Sequence, residues 1–309
     1  MELFYERKLC PVCQSADTEQ ILSEPYVGGG PERILRPKYD RIPREETYQA
    51  RLSGYDYSIL SCLHCRALFQ KLAPTPAFAA EYYGSWIAQH GSPKFPFGEY
   101  AHAINEALIL TDFLLKWTGK AVPAELKILD FGVGMGVFAN AMKACGCRVF
   151  GFDLSDERVE ARAKDGILPV GYDAIEGFDF INTEQVFEHL PDPLEKAKHL
   201  TKGLCEKGVL KISVPFARWL ERGPVRIDWS AGRYDRNSYM PLQPLEHLTY
   251  FRRPSLVRMM GRLGFEPVRP RIIDELNYAF DWKRSALKNL ARPFIRTRLR
   301  NYYLFARPD

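Results

Sequence analysis

The stretch ILDFGVGMGVFANAMKACGCRVFGFDLSD, residues 128–156, constrains this chain more than any other. It reads as strand, glycine-rich turn, helix, strand. Lys127 to Asp130 is a short run ending on an acid, and Val137 to Cys145 has helical spacing. Gly146 follows, a residue type that ends helices. Arg148 to Asp153 is a second strand carrying Val and Phe. Two parallel strands joined by a helix form a βαβ unit, a frame for nucleotides. Gly132, Gly134 and Gly136 let the backbone turn sharply and admit a ligand with no Cβ in its way. Asp153, closing the second strand, is placed to accept hydrogen bonds from both hydroxyls of a ribose.

Two ligand classes compete for such a frame. A dinucleotide loop wants G-x-G-x-x-G, its amides aimed at a pyrophosphate. Here the third glycine of that pattern falls on Val137, and the loop reads G-x-G-x-G with Asp130 before it. An acid beside the loop repels a pyrophosphate and suits a cationic ligand. S-adenosylmethionine has a sulfonium and an ammonium and no phosphate, so the charge favours it over NAD.

These motifs resemble those of class I S-adenosylmethionine-dependent methyltransferases. ILDFGVGMG is similar to the first motif of that family and GFDLSD to the second. FDFINTEQVFEHLPDP (178–193) resembles its strand-four segment, GVLKISVP (208–215) its fifth strand, and PLEHLTYFRRPSLVRMMGRLGF (244–265) the following helix. The resemblance implies an α/β, Rossmann-like seven-stranded sheet with helices on both faces and its last strand antiparallel. NYYLFAR (301–307) would be that strand. Ligands in such sheets sit at the carboxyl ends of the strands.

Carried over residue by residue, the cofactor positions are Asp130, Gly132, Gly134, Gly136, Asp153 and Leu154. Tyr172 and Asp173 end the third strand, ILPVGYD (167–173), at the adenine edge; a surface turn is the alternative there. Glu184 and Gln185 open the loop after strand four, near the methionine part. Methyl transfer to a hydroxyl needs alignment and a proton acceptor. His189, after the fourth strand, and His247, beyond the fifth, stand at loop positions that face the cofactor in the family. His247 is the preferred base, because His189 lies against the start of a helix capped by Asp192 and Pro193. A purely structural histidine is the competing reading of each, and Glu188 and Glu246 are alternative bases.

The chain has 7 cysteines, four of them in the pairs CPVC (Cys10, Cys13) and CLHC (Cys62, Cys65). A two-residue gap lets a tight turn aim both thiolates at one ion, and four thiolates close a tetrahedral zinc site with no open position. Free thiols or a redox pair are the other readings, and the redox pair leaves the second C-x-x-C unexplained. Cys145, Cys147 and Cys205 read as ordinary buried residues. A zinc module followed by a methyltransferase core resembles enzymes acting on sugars in glycan and antibiotic pathways. The sugar C-methyltransferases among them carry a further C-terminal domain, so O-methylation of a sugar or glycan hydroxyl is the expectation. An RNA or protein methyltransferase, or a non-catalytic binding protein keeping the fold, is the alternative.

The expected organisation is a zinc module over 1–80, an aromatic linker or lid with a helix over 81–122, and the methyltransferase domain over 123–309. Tyr82, Tyr83 and Trp86 are the lid candidates. The segment 23–50, rich in Gly, Pro and charge, reads as a loop that is mobile or pinned by contact. With 46% hydrophobic and 26% charged residues the composition is that of a globular protein, and a net charge of +5 argues weakly for nucleic acid. No run reaches a membrane span and the first residues lack a signal-peptide core, so a cytoplasmic protein is expected. The stretch 282–300 holds seven basic residues and no acid. It reads as a solvated helix, a contact for a phosphate-bearing acceptor, or a peripheral membrane contact.

Overall fold

A computed structural model describes residues 2–87, 97–222, 225–233, 235–271 and 302–308. The basic stretch 282–300 lies outside the described residues. The chain divides into two compact units. One comprises Ser92–Val186, Glu195–Val214 and Met260–Asp309, and the other Met1–Gly91, Phe187–Leu194 and Pro215–Met259.

The first unit holds a seven-stranded sheet. Its order is Glu266–Val268, Tyr302–Ala306, Leu204–Ser213, Phe178–Glu184, Lys127–Phe131, Arg148–Phe152, Leu168–Pro169. Tyr302–Ala306 runs antiparallel to both neighbours and the other pairs are parallel. The expected α/β, Rossmann-like sheet with an antiparallel closing strand is present. Parallel strands covered on both faces are apolar throughout, and Phe178–Glu184 is buried at every residue but the last. Helices Val137–Ala144, Asp156–Lys164 and Pro193–Lys202 make the crossovers. The second opens as its sequence demands. Ser155 Oγ accepts the Arg158 N–H at 3.4 Å, and Asp156 and Glu157 occupy the first turn. The third strand is shorter than 167–173. Only Leu168 and Pro169 pair with Phe150 and Gly151, because Pro169 has no N–H to continue the ladder; Tyr172–Ala174 turn instead.

The second unit carries the four paired cysteines and an antiparallel four-stranded sheet, ordered Thr249–Tyr250, Leu68–Gln70, Asp56–Cys62, Thr18–Pro25. Its core is aromatic. Tyr26, Tyr48, Tyr57, Phe78, Tyr82 and Trp86 are fully buried, and Trp86 lies edge-on to Tyr39 with centroids 4.6 Å apart. Tyr82 and Trp86 are therefore core residues, and of the three lid candidates only Tyr83 is exposed, at 44%.

The segment 23–50 is not a loop. It forms helices Gly30–Tyr39 and Tyr48–Leu52, pinned by Leu35, Tyr39, Tyr48 and Leu52 in that core. Gly30 is required there, since a Cβ would lie 1.9 Å from Trp229 Nε1. The segments 187–194 and 215–259, read from sequence as part of the methyltransferase domain, cluster with the cysteine-bearing unit. Strand pairing explains part of this: Thr249 and Tyr250 pair with Phe69 and Leu68, and the Tyr57 hydroxyl donates to the Leu242 carbonyl. Among the described residues no helix is long and apolar enough to cross a membrane.

Candidate active site

In the first unit the strand ends build a glycine-lined cradle. Gly132, Gly134 and Gly136 all adopt positive φ, at 82°, 48° and 71°, a region that disfavours any Cβ. A Cβ on Gly132 would stand 2.6 Å from Val186 Cγ2. The Gly132 and Val133 amides both donate to the Phe152 carbonyl, at 2.8 and 2.9 Å, tying the loop to the second strand. Asp153 is held from two sides. Its Oδ2 accepts the Gly134 N–H at 2.9 Å and its Oδ1 the Ser155 N–H at 3.0 Å. Each carboxylate oxygen keeps acceptor capacity for a ligand hydroxyl.

Leu154, next in the chain, is 94% exposed. Tyr172 stacks on His199 with centroids 3.9 Å apart, and its hydroxyl accepts Lys196 Nζ at 2.8 Å. His199 thus covers one face of the ring assigned to adenine. Asp173 is exposed in the same turn. Asp130, the acid before the loop, lies in the strand Lys127–Phe131. It is 3% exposed and accepts Asn182 Nδ2 at 2.7 Å. Burial pushes its carboxyl up to about 7, against the pull of Asn182 and Lys211.

The accessible carboxylate at the strand ends is Glu184. Lys211 Nζ donates to its Oε2 at 2.7 Å and Ser213 Oγ to its Oε1 at 2.8 Å. Enclosure raises the Glu184 carboxyl, but Lys211 and Ser213 outweigh it and the net shift is downward. Lys211 is fully buried in a central strand and also pairs with Glu106. Burial opposes its charge, yet the two carboxylates hold it above its ordinary value. Gln185 takes a positive φ of 53° and its N–H donates to the Ser213 carbonyl at 2.9 Å. Sequence reasoning passed over Lys211, although a lysine inside the apolar run GVLKISVP was the signal that it had buried partners.

In the second unit the four paired cysteines converge. Their sulfurs lie within 4.8 Å of one another and all four residues are buried. Cys10 and Cys65 Sγ are 3.6 Å apart, as are Cys13 and Cys62. A disulfide is about 2.05 Å, so these are thiols. A tetrahedral ion with metal–sulfur bonds of about 2.3 Å has edges near 3.8 Å, which the spacing fits. The two pairs make equivalent knuckles. Gln14 and Arg66, each following the second cysteine of a pair, have φ of 61° and 69°, and their amides return to Cys10 and Cys62 at 2.8 and 2.9 Å.

The same unit assembles Tyr82, Tyr83, Glu188, His189, Glu246 and His247. His189 Nδ1 lies 3.0 Å from the Glu246 carbonyl and 3.3 Å from the Tyr83 hydroxyl. A carbonyl only accepts, so Nδ1 carries the proton and Nε2 the lone pair. That Nε2 is 3.9 Å from Glu188 Oε1. His247 meets His189 edge-on, centroids 4.9 Å apart. Burial, then the neighbouring His189, pushes His247 down to about 4, and burial lowers His189 too. Glu246 Oε1 accepts from Lys38, from Gln243 and from the Tyr82 hydroxyl at 2.7 Å. Burial raises the Glu246 carboxyl, but Lys38 and Tyr82 bring it below the usual carboxylate range. Lys38 escaped the sequence reading because it is 208 residues from Glu246.

A glycine cradle and the anchored Asp153 carboxylate at the strand ends of this seven-stranded sheet fit an α/β protein of the methyltransferase type. Residues 98–269 match the family model described as a methyltransferase domain. That is more than half of the chain, which belongs to this family.

Two relatives are each named ubiquinone biosynthesis O-methyltransferase. The one from Actinobacillus pleuropneumoniae serotype 5b (strain L20) is 32% identical over 104 residues, 28% of this chain and 44% of the relative. The one from Paramagnetospirillum magneticum (strain ATCC 700264 / AMB-1) is 27% identical over 162 residues, 46% and 64% respectively. The chain spans less than two thirds of their length. Among solved structures, the plantazolicin methyltransferase BpumL in complex with SAH aligns with a TM-score of 0.45 at 14% identity, over 69% of this chain and 86% of that one.

Proposed function

We propose that this protein is an S-adenosylmethionine-dependent methyltransferase that methylates a hydroxyl oxygen, on an acceptor of the sugar or glycan class. Asp153 takes the ribose hydroxyls, Leu154 and Tyr172 flank the adenine, and Glu184 receives the methionine ammonium. The cofactor supplies an electrophilic methyl group on a sulfonium. The chain supplies orientation and a proton acceptor. The names of the relatives support oxygen as the methylated atom, and the resemblance in sequence to sugar-modifying enzymes supports the acceptor class.

One observation carries the base assignment. His189 has its Nδ1–H fixed on the Glu246 carbonyl, which leaves a lone pair on Nε2. The base is therefore His189 rather than His247. An imidazole pushed to about 4 is too weak a base to take a proton from an alcohol efficiently. In this reading the acceptor proton passes to His189 Nε2, and Glu246, kept ionised by Lys38, stabilises the imidazolium. Cys10, Cys13, Cys62 and Cys65 hold a structural zinc ion, whose closed shell leaves no position for chemistry.

The test is methyl transfer to nucleoside diphosphate sugars, to a catechol and to RNA, read by mass spectrometry, with native chain and His189→Ala. A general base contributes about 10²–10⁴-fold, so His189→Ala should lose that factor and His247→Ala less. Transfer to RNA alone, or undiminished turnover of His189→Ala, overturns the reading.

A further inference from the structure

We propose that Gln70, on the strand after the second cysteine pair, is the positioning residue for the turn 243–247 that carries Glu246 and His247. Gln70 is 1% exposed. Its Nε2 donates to the carbonyls of Gln243 and His247, both at 3.0 Å. Its Oε1 accepts the Leu245 N–H at 3.4 Å. One side chain thus grips alternate residues of a single turn.

The turn needs that grip. Leu245 has φ of +67°, a conformation that L-residues seldom adopt and that persists only where surroundings impose it. Pro244 offers no N–H to help. The backbone of Gln70 is itself anchored. Its N–H donates to the Leu248 carbonyl at 2.9 Å, and its carbonyl accepts buried Arg7 through Nε and Nη2 at 2.9 and 2.7 Å. Arg7 Nη2 also reaches the Leu248 carbonyl, at 2.5 Å. The frame is therefore rigid and the turn hangs from it.

The consequence reaches both histidines. The Glu246 carbonyl that orients His189 belongs to this turn, as does His247. The groups facing them are Glu188, Glu246, Tyr83 and His247 for His189, and His189, Glu246 and the Met240 and Pro241 backbone for His247. The role for catalysis rests on the methyl-transfer reading; the positioning itself does not.

The experiment is an imidazole NMR titration of the full chain and of Gln70→Met and Gln70→Glu. Gln70→Met keeps the volume and removes all three bonds, whereas Gln70→Glu keeps only the acceptor for Leu245. In both, His247 should titrate about one pH unit or more higher as burial relaxes, and His189 should lose its fixed Nδ1–H tautomer. Metal content and S-adenosylmethionine affinity should stay within about two-fold of the native chain. Unchanged His189 and His247 signals in a folded variant overturn the proposal, as does loss of fold or metal in both variants, which makes Gln70 merely structural. If the titrations shift as expected but the native chain transfers no methyl group to any acceptor, the positioning stands and the activity reading falls.

Discussion

Lys38 and Glu246 form an ion pair with side chains only 21% and 16% exposed, and it is the Lys38 charge that helps keep Glu246 ionised. Such a pair lies between exposed and fully buried ones, so Lys38→Met should cost about 1–2 kcal/mol in urea unfolding. The sign with pH follows from the lowered Glu246 carboxyl. Its contribution is present above the unfolded carboxyl value and is lost as pH falls through the folded one. Lys38→Met should therefore lose less stability on acidification than the native chain. At the other end of the chemistry, Asp153→Ala should weaken S-adenosylmethionine by at least about 1–2 kcal/mol in calorimetry, the scale of charge-assisted hydrogen bonds. An unchanged affinity would remove Asp153 from the cofactor site.

At the scale of elements, what the sequence disclosed was local. The glycine loop, the Ser155 cap and the two cysteine knuckles each sit within a few residues, so their spacing alone constrains them. The zinc reading predicts about one zinc per chain, with Cys62→Ser losing both metal and stability; metal-free native protein would contradict it. The helix Gly30–Tyr39 stayed hidden because it opens on the last of three consecutive glycines and Pro37 lies inside it, although Pro31 at its first turn is a start signal. The burial of Asp130 was not legible for a different reason. Sequence gives the order of residues along a strand but not which side chain a neighbouring strand covers, and Asn182 comes from the adjacent one. Gln70, Lys38 and Lys211 gain their roles only through partners far along the chain or buried beside them, and no spacing rule reports that.

For the molecule as a whole, the candidate groups fall in two compact units: the glycine cradle and Asp153 in one, His189, His247 and the four paired cysteines in the other. Global stability should register the enclosure of His247. His247 is lowered from 6.5 to about 4, so the unfolded chain binds its proton first as pH drops. The native state then loses up to about 3 kcal/mol between roughly pH 6.5 and 4. His247→Phe should flatten that part of the stability curve, measured by chemical unfolding at several pH values. The central claim, methyl transfer to oxygen, is tested most directly by supplying S-adenosylmethionine labelled with carbon-13 in its methyl group, together with a panel of nucleoside diphosphate sugars. Carbon NMR of the product should show the label as an O-methyl ether, formed by the native chain and lost with His189→Ala. A label found on carbon or nitrogen, or a native chain that binds the cofactor and transfers nothing to any sugar, would contradict the account.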